Sequence, residues 1–243
     1  TMPWQVYLTY GDTRPLELGW PVMKNWLAFI DTKMKDGVLS PYIGIGCAGS
    51  PEWNFLGDWV PPGRKQGKDR VDDRSTLFFN NLYLVHCLQI AGKAGRILGD
   101  TAQAEAYEAK AAALSAKIHA EFLNPDGETY ANGEQTYLAM PLHFGVTPPE
   151  LAPKVMAALE KDITVTRNGH LNTGMHGNYF MAKHLIDIRR NDLLALMHTK
   201  EDFPSFGHML RNGATTIWEE WDGDNSQIHN TMISVGLWFT EGL

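Results

Sequence analysis

TLFFNNLYLVHCLQIAGKAGRILGDTAQAEAYEAKAAALSAKIHAEFL, residues 76–123, is the stretch on whose reading the fold depends. Residues 76–98 carry apolar side chains at helical spacing, and the Gly99-Asp100 pair stops them before an Ala-, Glu- and Lys-rich run opens at Thr101. Two helices joined by so short a turn make an antiparallel hairpin, with Leu98, Tyr107, Leu114 and Ile118 placed to pack against the first helix. The second run shows ordinary helix propensity and no membrane-active pattern.

The same grammar extends in both directions. Upstream, Leu18, Val22, Trp26, Phe29 and Ile30 recur at helical spacing and predict a helix over about 17–35. Downstream, NPDGETYANGEQ is a loop with Pro-Asp-Gly and Asn-Gly turns, followed by a short helix over 135–144 and another over 148–160 led by Pro148-Pro149-Glu150. Further helices are expected late in 170–188, at 191–199 and at 226–241. About eight helices with almost no strand-like alternation predict an all-α chain of stacked hairpins, and no composition shift divides residues 1–243 into separate domains. Residues 37–73, rich in Gly and Pro, form too long a connection for a plain loop and are expected to carry a functional surface.

Composition bounds the function. With 44% hydrophobic and 20% charged residues over 243 positions, the chain can bury a core without staples, and it is neither disordered nor collagen-like. The formal charge of −7 gives no general attraction to nucleic acid or to an anionic membrane. Cys47 and Cys87 stand in unlike contexts, so neither a disulfide framework nor a cysteine metal site is indicated. The start TMPWQVYLTYGD lacks a signal-peptide pattern, and no segment is long enough to span a bilayer. A soluble protein, cytoplasmic or secreted, is expected. No GxSxG elbow, no GxGxxG after a strand and no GxxxxGK[ST] loop is present, which leaves serine hydrolase, dinucleotide and P-loop readings without support.

The polar residues gather in loops. GDW (57–59), HGNY (176–179), FPSFGHM (203–209) and ATTIWEEWDGDNSQIHN (214–230) mix carboxylates, indoles and imidazoles, the composition of a sugar site. In WEEW, Glu219 and Glu220 point apart if the segment is extended, so one can enter a cleft while the other pairs structurally; alternatively both are surface acids beside packed indoles. Asp58 is either a cleft carboxylate or a capping residue that accepts backbone N–H bonds. Asp222 and Asp224 share that ambiguity, and DGDN lacks the twelve-residue calcium spacing. His176, His208 and His229 form no metal-binding spacing. His229, expected to open the last helix near WEEW, is the imidazole placed best to touch a ligand, and His86 inside an apolar helix reads as structural.

In their order along the chain, PWQVYLTYGDTRPLE (3–17), LGDWVPPG (56–63), the hairpin near 76–122, GHLNTGMHG (169–177), FPSFGHML (203–210) and GATTIWEEWDG (213–223) resemble the inverting α-L-rhamnosidases of glycoside hydrolase family 78. The resemblance implies an (α/α)6 barrel, or an incomplete portion of it, with a sugar pocket built from loops at one end. It implies that Glu219 is the general base, that Trp218, Trp221 and His229 shape the pocket, and that Asp58 and Trp59 belong to its wall; His176 joins them as a substrate-binding candidate. The family's SxNH pattern reads SQIH at 226–229, with His229 in register. The substrate implied is a rhamnose-containing oligosaccharide or glycoside, with no cofactor and no metal.

An inverting enzyme also needs a protonated partner carboxyl. The family carries it in a motif like Asp-Glu-Arg-Leu-Gly-Trp-x-Gly-Asp, upstream of the segment matching Pro3-Trp4. That motif does not occur here, so the chain resembles the later two-thirds of a catalytic domain, in which Asp58 or Asp73 would have to substitute for the acid and barrel helices lacking neighbours would favour self-association. A noncatalytic sugar-binding α/α module, or another α/α-barrel sugar enzyme such as a glucuronyl hydrolase or a lyase, fits the same loops.

Overall fold

The computed structural model describes residues 1–42, 55–64, 72–229 and 232–243. Of the long Gly- and Pro-rich stretch, residues 43–54, with Cys47, and 65–71 lie outside the described residues. The chain divides into two compact units, residues 1–54 with 80–121 and residues 55–79 with 122–243.

The first unit opens with α1 (Met2–Tyr10), which the periodicity did not reveal although Pro3 in its first turn and Gly11 just past its end are ordinary start and stop signals. Helix α2 (Arg14–Asp31) follows, then a two-stranded antiparallel hairpin of β1 (Met34–Lys35) and β2 (Val38–Leu39) in place of the expected helix end. Its turn is Asp36-Gly37, both left-handed at φ 50° and 84°, the Asp-Gly hairpin signal that the helical reading of 17–35 overran. Asn81 serves as a mimic strand for β2: its Oδ1 accepts the Leu39 N–H at 2.7 Å and its Nδ2 donates to the Leu39 carbonyl at 2.9 Å. Helices α3 (Asp73–Leu98) and α4 (Thr101–Phe122) are the expected hairpin; residues 80–98 of α3 belong to this unit.

Of the five apolar residues whose spacing marks α2, Ile30 is the one that is buried. Leu16, Trp20, Leu27 and Ile30 are buried, whereas Leu18, Val22, Trp26 and Phe29 are exposed. This helix carries two apolar stripes, and periodicity alone cannot choose between them. A polar bond does: the Trp20 indole donates to Asp100 Oδ2 at 2.9 Å, and its ring meets Tyr107 edge-on at 6.1 Å. Burial pushes the Cys87 thiol up to about 11, which leaves little reactive thiolate at neutral pH.

In the second unit, Phe78 stacks on Phe122 and Tyr130 at 4.9 and 5.3 Å. Helix α5 (Gln135–His143) packs on α6 (Ala152–Lys161) and on α7 (Met175–Asp187), and α7 packs on α8 (Asn191–His198) and α10 (Ser234–Leu237). Residues 148–151 form a turn rather than the start of α6, and π-helical turns extend α6 over Asp162–Thr166 and α10 over Trp238–Gly242. Helix α9 (Phe206–Arg211) went unpredicted, although Ser205 caps it by accepting the His208 N–H at 2.9 Å. The last helix begins at 234, so His229 lies in the preceding coil and opens no helix. Among the described residues no helix is long and apolar enough to cross a membrane.

Two expectations follow. Ile30→Ala should cost about 2–4 kcal/mol in urea unfolding and Val22→Ala no more than about 0.5 kcal/mol, although both belong to the same sequence stripe. Burial lowers His184 and His198 from 6.5 to about 4; His143 adds to the shift at His184. Between these values the unfolded chain binds the extra protons, so stability is fully present above about pH 6.5 and is lost as the pH falls toward 4. Thermal unfolding of His198→Gln should show a shallower slope in that window; an unchanged slope contradicts the assignment.

Candidate active site

The site is built in the second unit around the Asp58 carboxylate, which is only 4% exposed. Oδ2 accepts the Thr136 hydroxyl at 2.6 Å and the Gly174 N–H at 2.7 Å, and Oδ1 accepts the Gly177 N–H at 3.0 Å. Gly174 is the N-cap of α7 and Gly177 its third residue, so a residue more than a hundred positions upstream caps this helix. The next backbone group joins in: the Met175 N–H donates to the Trp59 carbonyl at 2.9 Å. A helix N-terminus leaves its first N–H groups unpaired and carries partial positive charge, and a buried carboxylate answers both needs.

Close approach explains Gly174 and Gly177 in GHLNTGMHG. A Cβ on Gly174 would collide with the Trp59 carbonyl oxygen, and one on Gly177 with the Thr136 hydroxyl and an Asp58 oxygen. Only bare backbone lets the 58–59 loop come this near the helix end.

Once Asp58 is fixed, Trp59 is fixed beside it. Its Nε1 donates to Glu219 Oε1 at 3.3 Å, and the Ser226 N–H reaches Glu219 Oε2 at 3.3 Å. The WEEW segment is bent rather than a regular strand, and two backbone bonds, Glu219 N–H to the Ser226 carbonyl and His229 N–H to the Ile217 carbonyl, both 2.8 Å, hold it to 226–229. Its two acids have different partners. Glu219 is half-buried and meets Trp59, whereas Glu220 is 3% exposed and accepts from the Asn225 amide. Burial, with the charges of Asp222, Asp224 and Glu219, pushes the Glu220 carboxyl up against the opposing Asn225 hydrogen bond.

The indoles divide in the same way. Trp221 is 2% exposed and donates to the Thr173 carbonyl at 3.0 Å, which ties WEEW to the segment leading into α7. Trp218 is buried with its ring over Gly223. Trp59 is the half-buried indole of the three. His176 is exposed in the first turn of α7 and meets Phe79 edge-on at 5.7 Å, while His229 is half-buried. Asp58, Trp59, Glu219, Trp221 and the residues flanking His176 are thus joined by direct bonds. Thr136, buried in α5, gave no sequence signal: nothing in QTYLAM marks one hydroxyl as the partner of a distant carboxylate. Glu220, Asp222 and Asp224 bring carboxylate oxygens within 4.8 Å of one another, the cluster among the described residues best able to hold a cation.

A family model described as the bacterial alpha-L-rhamnosidase 6 hairpin glycosidase domain matches residues 1–243. An alpha-L-rhamnosidase of Alteromonas sp. (strain LOR) is 29% identical over 259 residues, covering 100% of this chain and 26% of the relative. One from Formosa agariphila is 28% identical, covering 100% of this chain and 25% of its own length. The chain thus spans only about a quarter of the curated relatives it matches. The solved alpha-L-rhamnosidase from Dictyoglumus thermophilum superimposes with a TM-score of 0.83 at 25% identity, over 99% of this chain and 26% of that one. The Streptomyces avermitilis enzyme, solved with L-rhamnose, gives 0.82 at 23% identity, over 98% and 22%.

Removing the cap should be costly because it strands donors at the start of α7. Asp58→Ala is expected to lose about 2–4 kcal/mol in denaturant unfolding, and Thr136→Val about 1–2 kcal/mol. A D58A protein as stable as wild type would show that the cap is dispensable.

Proposed function

Because the chain belongs to the family of bacterial α-L-rhamnosidase six-hairpin glycosidase domains and has their all-α fold of paired helices, we propose that the protein carrying it hydrolyses terminal α-L-rhamnosides with inversion at the anomeric carbon. The observation that carries this reading is the Glu219 carboxylate, half-buried and held at one oxygen by the Trp59 indole and at the other by a backbone N–H.

Glu219 is the general base. It takes a proton from water as the water oxygen attacks the anomeric carbon, and the bond from that carbon to the leaving oxygen breaks. A second carboxyl group, protonated and roughly 6.5–9.5 Å from the base, delivers its proton to the leaving oxygen. The long hydrogen bonds at Glu219 orient the carboxylate while leaving lone pairs for water. Asp58 is a positioning residue, with both oxygens engaged by Thr136 and the start of α7. Trp218 and Trp221 stiffen the wall from behind, and Trp59, His176 and His229 meet the sugar. Indole faces take the apolar side of a pyranose, and imidazole nitrogens take its hydroxyls.

The test is turnover of an aryl α-L-rhamnoside by the full-length protein that carries this domain, with the anomeric configuration of the product followed by NMR. Glu219→Gln should lower kcat by about a thousandfold, within the range for loss of a general base. Trp59→Phe should lower it by about tenfold through loss of the orienting bond. Undiminished turnover in E219Q, or a product of retained configuration, contradicts the proposal.

A further inference from the structure

Asp58 fixes Trp59 from one side, and the chain beyond Trp59 has a second hold in the same unit. The Arg64 guanidinium donates to Glu134 Oε1 at 2.8 Å, a pair whose side chains are only 29% and 17% exposed. Glu134 is the N-cap of α5, and Thr136, which braces Asp58, is that helix's second residue. Both feet of the 58–64 loop therefore stand at the start of one helix, and the chain between them has to double back. It does so with left-handed residues at every third position, Gly57, Val60 and Gly63, at φ 76°, 50° and 76°.

Two of these three are glycines, which take positive φ at no steric cost. Val60 is not at ease there. It is the β-branched residue among the described non-glycine residues of positive φ, and Pro61 follows it, a neighbour that further favours extended backbone. Such strain persists only where surrounding contacts over-determine the conformation, and it gathers at functional sites. Contacts of that kind stand on both sides. The Trp59 carbonyl accepts the Met175 N–H at 2.9 Å just before Val60, and the Arg64 N–H closes a turn on the Pro61 carbonyl at 3.1 Å just after it. The Val60 side chain is itself buried. A glycine at 60 would make the same turn without strain, so valine adds, besides its packing, restraint. A β-branched residue has one small left-handed well and a stiff χ1, whereas glycine passes freely between wells.

We propose that Val60 is a positioning residue for Glu219: its strained, buried turn couples Trp59 to the Arg64–Glu134 foot and so keeps the indole on that carboxylate. The role of Glu219 as general base rests on the rhamnosidase reading, whereas the coupling of Val60 to the indole can be tested without it. The bond to be held is long, 3.3 Å from Trp59 Nε1 to Glu219 Oε1, and a small drift of the indole breaks it. Stability and order at the site then pull apart at this residue, because relieving the strain favours the fold and loosens the site.

The experiment compares Val60→Ala with Val60→Gly, which differ from each other by one methyl group and in their tolerance of positive φ. V60G should unfold at a higher denaturant concentration than V60A, the reverse of the order at an ordinary loop position. In the ¹⁵N-labelled 243-residue chain the heteronuclear NOE of the Trp59 indole N–H should nonetheless fall by about half in V60G and by less in V60A. In the full-length protein V60G should lower kcat for an aryl α-L-rhamnoside by about fivefold and have no further effect in Trp59→Phe, since it acts through the indole. The near-isosteric pair V60T and V60N, one β-branched and the other at ease at positive φ, repeats the comparison should the smaller side chains not fold. A V60G protein less stable than V60A, an indole as ordered in V60G as in wild type, or a loss of turnover that persists in W59F overturns the proposal. A looser indole in V60G, together with no rhamnoside turnover by wild type, upholds the coupling and counts instead against the rhamnosidase reading.

Discussion

The structure around the site depends on one charge placed at one helix end. Asp58 enters the α7 N-terminus from a distant loop, takes the N–H groups of Gly174 and Gly177, and is braced from the far side by Thr136. A buried carboxylate is costly unless its oxygens are filled, and a buried helix start is costly unless its N–H groups are filled. Each removes the other's penalty. The two glycines admit the contact, and the adjoining Trp59 carbonyl accepts the N–H between them. The position of Trp59 is therefore a consequence of helix capping, and the indole reaches Glu219 because Trp221 ties the WEEW segment to Thr173 just before the same helix.

This arrangement gives like residues unlike work. Asp58 and Glu220 are buried carboxylates bound to internal donors, whereas Glu219 keeps part of its surface open. Trp218 and Trp221 support the wall, whereas Trp59 stands where it can touch both the acid and a ligand. Residue type supplies the chemistry, and exposure selects which copy can use it.

The helical hairpins were legible because capping and 3.6-residue periodicity are local: α3, α4, α5 and α8 lie close to where the spacing puts them. The six-residue α9 and the Asp36-Gly37 hairpin were not, since they hold too few residues to show a period, and α1, as long as α5, has no buried apolar face to produce one. The spacing in α2 marks a helix without saying which of its two apolar faces is buried, and the Trp20 bond to Asp100, eighty residues away, decides between them. At the site, the Gly-Asp-Trp and Trp-Glu-Glu-Trp segments advertised themselves through residues that plain loops rarely combine. Thr136 did not, because a single hydroxyl acquires its meaning only from a partner brought near by the fold.

The central claim is that the Asp58 cap positions Trp59 and, through it, Glu219. The most direct measurement is the indole N–H resonance of Trp59 in ¹⁵N-labelled wild type, Glu219→Gln and Asp58→Asn. Loss of the acceptor charge in E219Q should move it, and D58N, which alters no group that touches the indole nitrogen, should move it as well. A resonance shifted by E219Q but unchanged in D58N would mean that the loop holds its place without the cap, and would contradict the account.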